Sequence, residues 1–334
     1  MIVARTRRLL LLGALMLAHV LVAPATAGTF ESEFDRAFGT EPRAPRTFAQ
    51  PYSSTLERQL AMLADGEKGR IGVAAIDLAT GRNIAILGDQ RFPMASTSKI
   101  AIAATFLDGV DKGRWSLDDR FPMLLPVASE PFSTAVAPVR PGEEMTARNL
   151  IELMITRSSN PSTDAMLRAV GGPGAVNEWA RRAGIKDFRL DRDIATLVRD
   201  DGKVDPAMHI DERDSATPNA MVQLVTGLYQ GRWLSESSRD VVIGAMERCA
   251  TGKHRIRALL PETAQVAHKT GTLSNTSSDV GIIRTADGRA IALAIYVTGQ
   301  GSREARESRI ANIARAIFDG YTADNSALLT SARY

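Results

Sequence analysis

The 334-residue chain contains one cysteine, Cys249. It therefore has no intramolecular disulfide to lean on, and its stability must come from a packed core. Cys249 sits in the helical pattern "IGAMERCA" and reads as a small buried hydrophobe. Histidine is also scarce. His209, His254 and His268 stand apart without ligand spacing, so no metal and no other cofactor is expected. There is no internal repeat and no low-complexity tract. Long apolar runs are confined to residues 9–22, which follow Arg5, Arg7 and Arg8 and precede Ala25-Thr26-Ala27. That run is too short to span a bilayer comfortably, and its flanks are those of a secretory signal peptide over residues 1–27, cleaved after Ala27. The three arginines account for the whole formal charge of +3, so the remainder is neutral and gives no reason to expect nucleic acid as a partner. No cysteine follows the cleavage site, which excludes a lipid anchor there. The expectation is an exported protein, periplasmic or secreted, without a stable membrane anchor.

What is present is an ordinary globular composition, 44% hydrophobic and 24% charged. Residues 28–53 are polar and proline-bearing and read as a spacer. "STLERQLAMLA" has helical spacing at Leu56, Leu60 and Leu63, with Ser54 placed to cap it. "RIGVAAIDLATGRNIAIL" reads as a hairpin turning at Ala79-Thr80-Gly81, and "VGIIRTADGRAIALAIYV" as another turning at Asp287-Gly288. The long middle, from Ser96 to about Met246, is mostly helical pattern broken by glycine and proline. "SREARESRIANIARAIF" closes the chain as an amphipathic helix with Ile310, Ile313, Ala314 and Ile317 on one face. Strands at both ends with helices between predict an α/β fold of two lobes: an antiparallel sheet flanked by helices, drawn from about 54–90 and 246–322, and an all-helical lobe over about 91–245. The cleft between them is a natural ligand site.

Three short stretches carry chemistry. In "PMASTSKIAIAATF", Ser96 lies three residues before Lys99 at the start of a buried helix, so hydroxyl and amine share a face. Burial disfavours the charge of such a lysine and lets it accept the serine proton. Alone, the pattern is also that of a helix cap followed by a surface lysine. In "LMITRSSNPSTDAML", Ser158 and Asn160 follow an apolar helix and offer a hydroxyl for proton relay and an amide for substrate; the plainer reading is a turn between helices. In "VAHKTGTLSN", Lys269 and Thr270 stand on a strand where they can hold an anion, with Gly271 leaving room for a substrate backbone; the plainer reading is a charged strand with a bulge glycine. "GGPG", Gly171 to Gly174, is a turn and not a phosphate loop, since no strand precedes it.

In this order the three stretches are the set found in serine β-lactamases and penicillin-binding proteins. The chain resembles class A β-lactamases from about Ser54 to Phe318, through "RFPMASTSK", "LMITRSSN", "RLDR", "DERDSATP", "TGKHRIRALLP", "HKTGT" and "SSDVGII". The resemblance implies Ser96 as nucleophile, Lys99 as its base and Ser158 as the relay to the departing nitrogen. It implies that Asn160 binds the substrate's side-chain amide, that Lys269 and Thr270 bind its carboxylate, and that the backbone amides of Ser96 and Thr272 form the oxyanion hole. Arg255 stands where some members keep an arginine beside the carboxylate pocket, with a surface arginine as the plainer reading. Phe132 falls near the entrance. Arg192 and Asp214 match the residues that pin the family's omega loop. The implied substrate is a small molecule, a β-lactam or a peptidoglycan peptide, and the implied state is a monomer.

The chain departs from the family at the step that frees the serine. The water-activating glutamate belongs two residues after "RLDR" and an asparagine four residues further on, but Ile194 and Val198 occupy these positions. The loop before "DERD" is longer than usual, and the middle residue of the Ser-x-Asn set is Ser159 rather than aspartate. Three readings follow: a β-lactamase with slow or rewired deacylation, in which Asp193, Asp200 or Asp201 holds the water; an enzyme acting on acyl-D-Ala-D-Ala peptides; or a non-hydrolytic module that binds β-lactams or cell-wall fragments.

Overall fold

The computed structural model describes residues 40–42, 52 and 54–331; the expected signal peptide and most of the expected spacer lie outside them. The first helix, α1 (Thr55–Leu63), begins at Ser54, whose hydroxyl accepts from the Glu57 amide while the Glu57 carboxylate accepts from the Ser54 amide. This reciprocal pair satisfies two amides that the helix itself leaves unbonded.

Five antiparallel strands form the main sheet, in the order β10 (Gln265–Leu273), β11 (Thr276–Arg284), β12 (Ala290–Thr298), β2 (Ile71–Asp77), β3 (Asn83–Ile86). The two ends of the chain meet where β12 pairs with β2, Ile291 opposite Asp77 through Val297 opposite Ile71. Every residue of β12 is buried, so this strand is covered on both faces. Because side chains alternate across a strand, Ile291, Leu293, Ile295 and Val297 pack outward with Ile310, Ile313 and Ile317 of the closing helix α9 (Arg303–Ser331). Ala292, Ala294 and Tyr296 point the other way, into the larger core shared with the second lobe.

That lobe is organised around α2 (Lys99–Asp111). Ile100, Ala101, Ile102, Ala103, Ala104, Phe106 and Leu107 are all fully buried, the composition of a helix enclosed on every side. Near its end a side chain at Gly109 would lie 2.1 Å from the Trp115 ring, so the glycine lets that ring stack on Phe106 at 5.0 Å. Around α2 stand α3 (Ala147–Thr156), α4 (Asn160–Val170), α5 (Pro173–Arg182), α7 (Pro218–Tyr229) and α8 (Glu236–Glu247). The turn at Gly171, with φ of 101°, closes α4, and Pro173 opens α5.

The middle of the chain is not helix alone. Arg120–Pro126 (β5) and Val139–Thr146 (β6) form a two-stranded sheet with an irregularity between Pro122 and Leu124. Both strands are half-buried to exposed and carry no clean alternation, which hid them from a reading based on periodicity. Phe92–Pro93 (β4), Phe188–Arg189 (β7) and Ser215–Ala216 (β9) make a small three-stranded sheet at the base of the cleft. The expected spacer also contains a short strand, Thr40–Pro42 (β1), paired with His209–Asp211 (β8). Three residues of ladder leave no hydrophobic signature in a sequence, and Pro42 is tolerated at the end of an edge strand.

Candidate active site

Ser96 lies in a 3-10 turn, Ala95–Ser98, that runs directly into α2. The Lys99 amide donates back to the Ser96 carbonyl, and side chains three apart in such a turn eclipse one another, so Ser96 and Lys99 emerge together. Ser96 is half-buried, whereas Lys99 is fully buried. The Lys99 Nζ donates to Ser158 O at 2.8 Å, Ser158 Oγ at 3.2 Å and Asn160 Oδ1 at 2.8 Å. Ser158 Oγ also accepts from Lys269 Nζ at 3.0 Å, so one hydroxyl lies between two amines. Lys269, likewise fully buried, donates in addition to its neighbour Thr270 O at 2.9 Å.

Burial, reinforced by Lys269 and opposed by Asp164, holds the Lys99 amine well below its ordinary pKa. Burial brings Lys269 down to about 8. A lowered pKa makes the Lys99 amine easier to deprotonate and so a better acceptor for the serine proton, and a Lys269 that is still largely protonated near neutrality is an anion anchor. The two lysines thus have different chemistry although both are buried.

Three residues around the cleft hold a left-handed backbone without being glycine: Ala95 (φ 48°), Ser158 (φ 58°) and Phe132 (φ 58°). Each such residue costs on the order of 1 kcal/mol or more, and strain of this kind gathers where side-chain placement matters. Ser159 caps α4, its hydroxyl accepting from the Ser162 amide, which explains why the middle residue of the Ser-x-Asn set need not be acidic. Thr270 Oγ1 lies 2.6 Å from Thr251 Oγ1. Gly271 has a reason that the sequence did not give. A side chain there would collide with Ser278 Oγ on the neighbouring strand and meet Met94 O at 2.7 Å and Ala95 Cβ at 3.1 Å, so the glycine also admits the nucleophile turn.

Arg255 is not a surface residue. At 1% exposure it donates to Gly271 O and Ser278 O at 2.8 Å and to Thr272 Oγ1 at 2.7 Å, and pairs with Glu307 at 2.9 Å. It therefore braces the strand bearing Lys269 and Thr270 from behind. Arg192 Nε bonds Asp214 Oδ2 at 2.5 Å, and the other Asp214 oxygen accepts the Asp191 and Arg192 amides. Asp214 is buried, so the loop between the two residues closes on a sequestered ion pair.

Within that loop Ile194 is 2% exposed and opens a six-residue helix, α6 (Ile194–Arg199), while Val198 is exposed. The three aspartates considered as substitutes are otherwise engaged. Asp193 caps α6 through the Thr196 amide at 2.8 Å. Asp200 bonds Arg199 at 2.8 Å and the Phe132 amide at 3.1 Å. Asp201 accepts from the Ser274 amide at 2.9 Å. Sequence reasoning missed a fourth acid, Asp164, whose two oxygens accept from the Ile194 amide at 2.7 Å and the Ala195 amide at 2.9 Å. It lies four residues after Asn160 on the same helix, and its backbone partners left no signal in the sequence. His268, for its part, is fully buried against Asp279 at 2.8 Å behind the strand.

A family model described as the β-lactamase enzyme family matches residues 55–321. The chain belongs to that family. Among its β-lactamase relatives are one from Proteus vulgaris, 30% identical over 74% of this chain and 89% of that protein, and Toho-2 from Escherichia coli, 31% identical over 83% and 92%. CTX-M-6 from Salmonella typhimurium is 30% identical over 80% and 90%. Among solved structures, an ancestral class A β-lactamase aligns with a TM-score of 0.68 at 35% identity, covering 80% of this chain and all of that one. A β-lactamase from Chitinophaga pinensis gives 0.71 at 27%, with the same coverage. The class A fold of these β-lactamases is therefore the fold of this chain, and a β-lactamase-type hydrolase is the activity its family membership supports.

Proposed function

We propose that this class A β-lactamase relative opens the β-lactam amide through an acyl-Ser96 intermediate and releases that ester slowly. The observation that carries the reading is the contrast between a complete acylating set and an aliphatic deacylation position. A neutral Lys99 accepts the Ser96 proton as Oγ attacks the lactam carbonyl. The carbonyl–nitrogen bond breaks, the proton passes through Ser158 to the departing nitrogen, and Lys99 is neutral again. Lys269 and Thr270 anchor the substrate carboxylate, Asn160 its side-chain amide, and the Ser96 and Thr272 amides receive the oxyanion. Hydrolysis of the ester needs a water that is held and deprotonated, and neither Ile194 nor Val198 can do that. Asp193, Asp200 and Asp201 are already committed to other donors. The enzyme acts in the periplasm or outside the cell, on small-molecule substrates, as a monomer.

The same contrast supports a second reading, in which the acyl group comes from an acyl-D-Ala-D-Ala peptide and the ester has no need of rapid hydrolysis. Intact-mass spectrometry with benzylpenicillin, followed over time, tests the first reading. The expected result is a stoichiometric adduct on the wild-type protein that decays over minutes or longer, and none on Ser96→Ala. Adduct on Ser96→Ala would overturn the nucleophile; rapid turnover with no adduct would overturn slow release; no adduct and no turnover would favour the non-hydrolytic module.

A further inference from the structure

Asp164 has no part in the chemistry above, yet it touches both halves of the site. It lies one turn after Asn160 on α4, so the two side chains leave the same face of that helix. Asn160 holds Lys99 at 2.8 Å. Asp164, 4% exposed, holds the first two amides of α6, at Ile194 and Ala195. Together with Asn160, Ile194, Ala195 and Val198 it lines a cavity of about 280 Å³ beside the cleft. Its charge also acts on Lys99, against the effects of burial and Lys269.

A carboxylate is an expensive way to close a buried loop end, because burial disfavours its charge and a neutral oxygen can also accept amide hydrogens. The charge has a use when a positive one forms nearby. During attack by Ser96, Lys99 becomes an ammonium in a pocket where burial and Lys269 both oppose it. We propose that Asp164 is a positioning residue for acyl transfer: its carboxylate fixes the Ile194–Ala195 backbone opposite Asn160 and stabilises the ammonium that Lys99 becomes while Ser96 is acylated. This rests on the reading of Ser96 as the acylated residue. No proton moves to Asp164. The serine proton goes to Lys99 and on through Ser158 to the leaving nitrogen, as the Oγ–carbonyl bond forms and the carbonyl–nitrogen bond breaks.

The charged groups around the pair are few. Lys99 is faced by Lys269 from β10 and by Asp164 from α4. Asp164 is faced by Asp193 at the head of α6 and by Lys99 from α2. Arg199, on the cavity wall, is held by Asp200 and Thr134.

The test uses the full chain, a fluorescent penicillin and the second-order acylation rate from about pH 5 to about pH 9. Asp164→Asn keeps the shape and removes the charge. Its acylation rate is expected to fall about tenfold or more near neutrality. The pH at which its rate reaches half its plateau should also drop, because Lys99 loses the charge that favours its protonated form. Asp164→Glu should bring that midpoint back toward the wild-type value, which a role limited to shape would not do. Independently, the protection of the Ile194 and Ala195 amides against hydrogen exchange in the unaltered, ligand-free protein should change as Asp164 ionises, over and above the intrinsic base-catalysed rise with pH. An Asp164→Asn rate within twofold of wild type with an unmoved midpoint would overturn the proposal, as would exchange at those amides that follows only the intrinsic pH dependence. The exchange profile decides the matter even if Asp164→Asn fails to fold. A wild-type protein that takes no label at any pH would sink the acyl-transfer reading instead, leaving the exchange profile to judge the hold of Asp164 on the loop.

Discussion

At the scale of single residues, the site separates two lysines by their surroundings. Lys269 titrates near 8, chiefly through burial. A folded-state value below the ordinary lysine range means that the charged form is lost as pH rises through about 8, and an anionic substrate loses its anchor with it. The concentration dependence of acylation should therefore shift to higher penicillin concentrations between about pH 7 and about pH 9, and Lys269→Arg should flatten that dependence. A wild-type dependence that stays flat would remove Lys269 from the anchor role. Ile194 gives a second expectation. Ile194→Glu introduces a carboxylate beside the cavity that already holds Asp164, so its own pKa should rise toward the range of a useful base. Steady-state penicillin turnover should increase roughly a hundredfold or more, the scale of a positioned general base; unchanged turnover would show that the backbone here does not present residue 194 to the ester. That Ser96, Lys99, Ser158, Asn160 and Lys269 gather at one site was legible because each belongs to a short ordered motif. Asp164 was not, since its partners are backbone amides thirty residues downstream, and backbone partners leave no letter in a sequence.

At the scale of elements, the loop from Arg192 to Asp214 is closed by one buried ion pair. Breaking such a pair leaves an uncompensated charge and costs on the order of 3 kcal/mol. Arg192→Ala should lower the melting temperature accordingly and open the loop to proteolysis; an unchanged melting temperature and cleavage pattern would count against it. Asp164 should act in the opposite sense. Burial raises its pKa to about 6, against the bonds it receives from the Ile194 and Ala195 amides. A carboxyl raised in the folded state is destabilising once ionised, so the cost is absent below about pH 4 and fully present above about pH 6. Asp164→Asn should thus gain up to about 3 kcal/mol at pH 8 and almost nothing at pH 4, read by chemical denaturation. A site that gives up stability for a charge is a familiar trade. The strong elements were readable because α1, the two hairpins and α9 carry clear periodicity. The β5–β6 pair was not, because strands open to solvent need no apolar alternation, and the packing of Gly271 against the nucleophile turn was hidden because that backbone lies far away in sequence.

At the scale of the molecule, the sheet lies between two layers, and α9 supplies the outer one. Removing residues 303–331 would strip Ile310, Ile313 and Ile317 from Ile291, Leu293, Ile295 and Val297, leaving in that cluster only smaller contributions such as Leu56 and Leu60 of α1. The truncated chain should be insoluble or lack cooperative unfolding, as measured by soluble yield and circular dichroism. A soluble, cooperatively folding truncation would mean that α1 and β3 suffice to close that face.

The meeting of the two chain ends in one sheet also sets an order in time. Strands β2 and β3 leave the ribosome early and have no sheet to join until β12 exists. Arg289, at the edge of that strand, reaches back to Asp77 across 212 residues. Contacts so distant in sequence are slow to form, and until they do the apolar strands are open to wrong partners. A sheet built this way stays unfinished until β12 has been made, and the nucleophile turn, wedged against Gly271, is assembled only once β10 is in place.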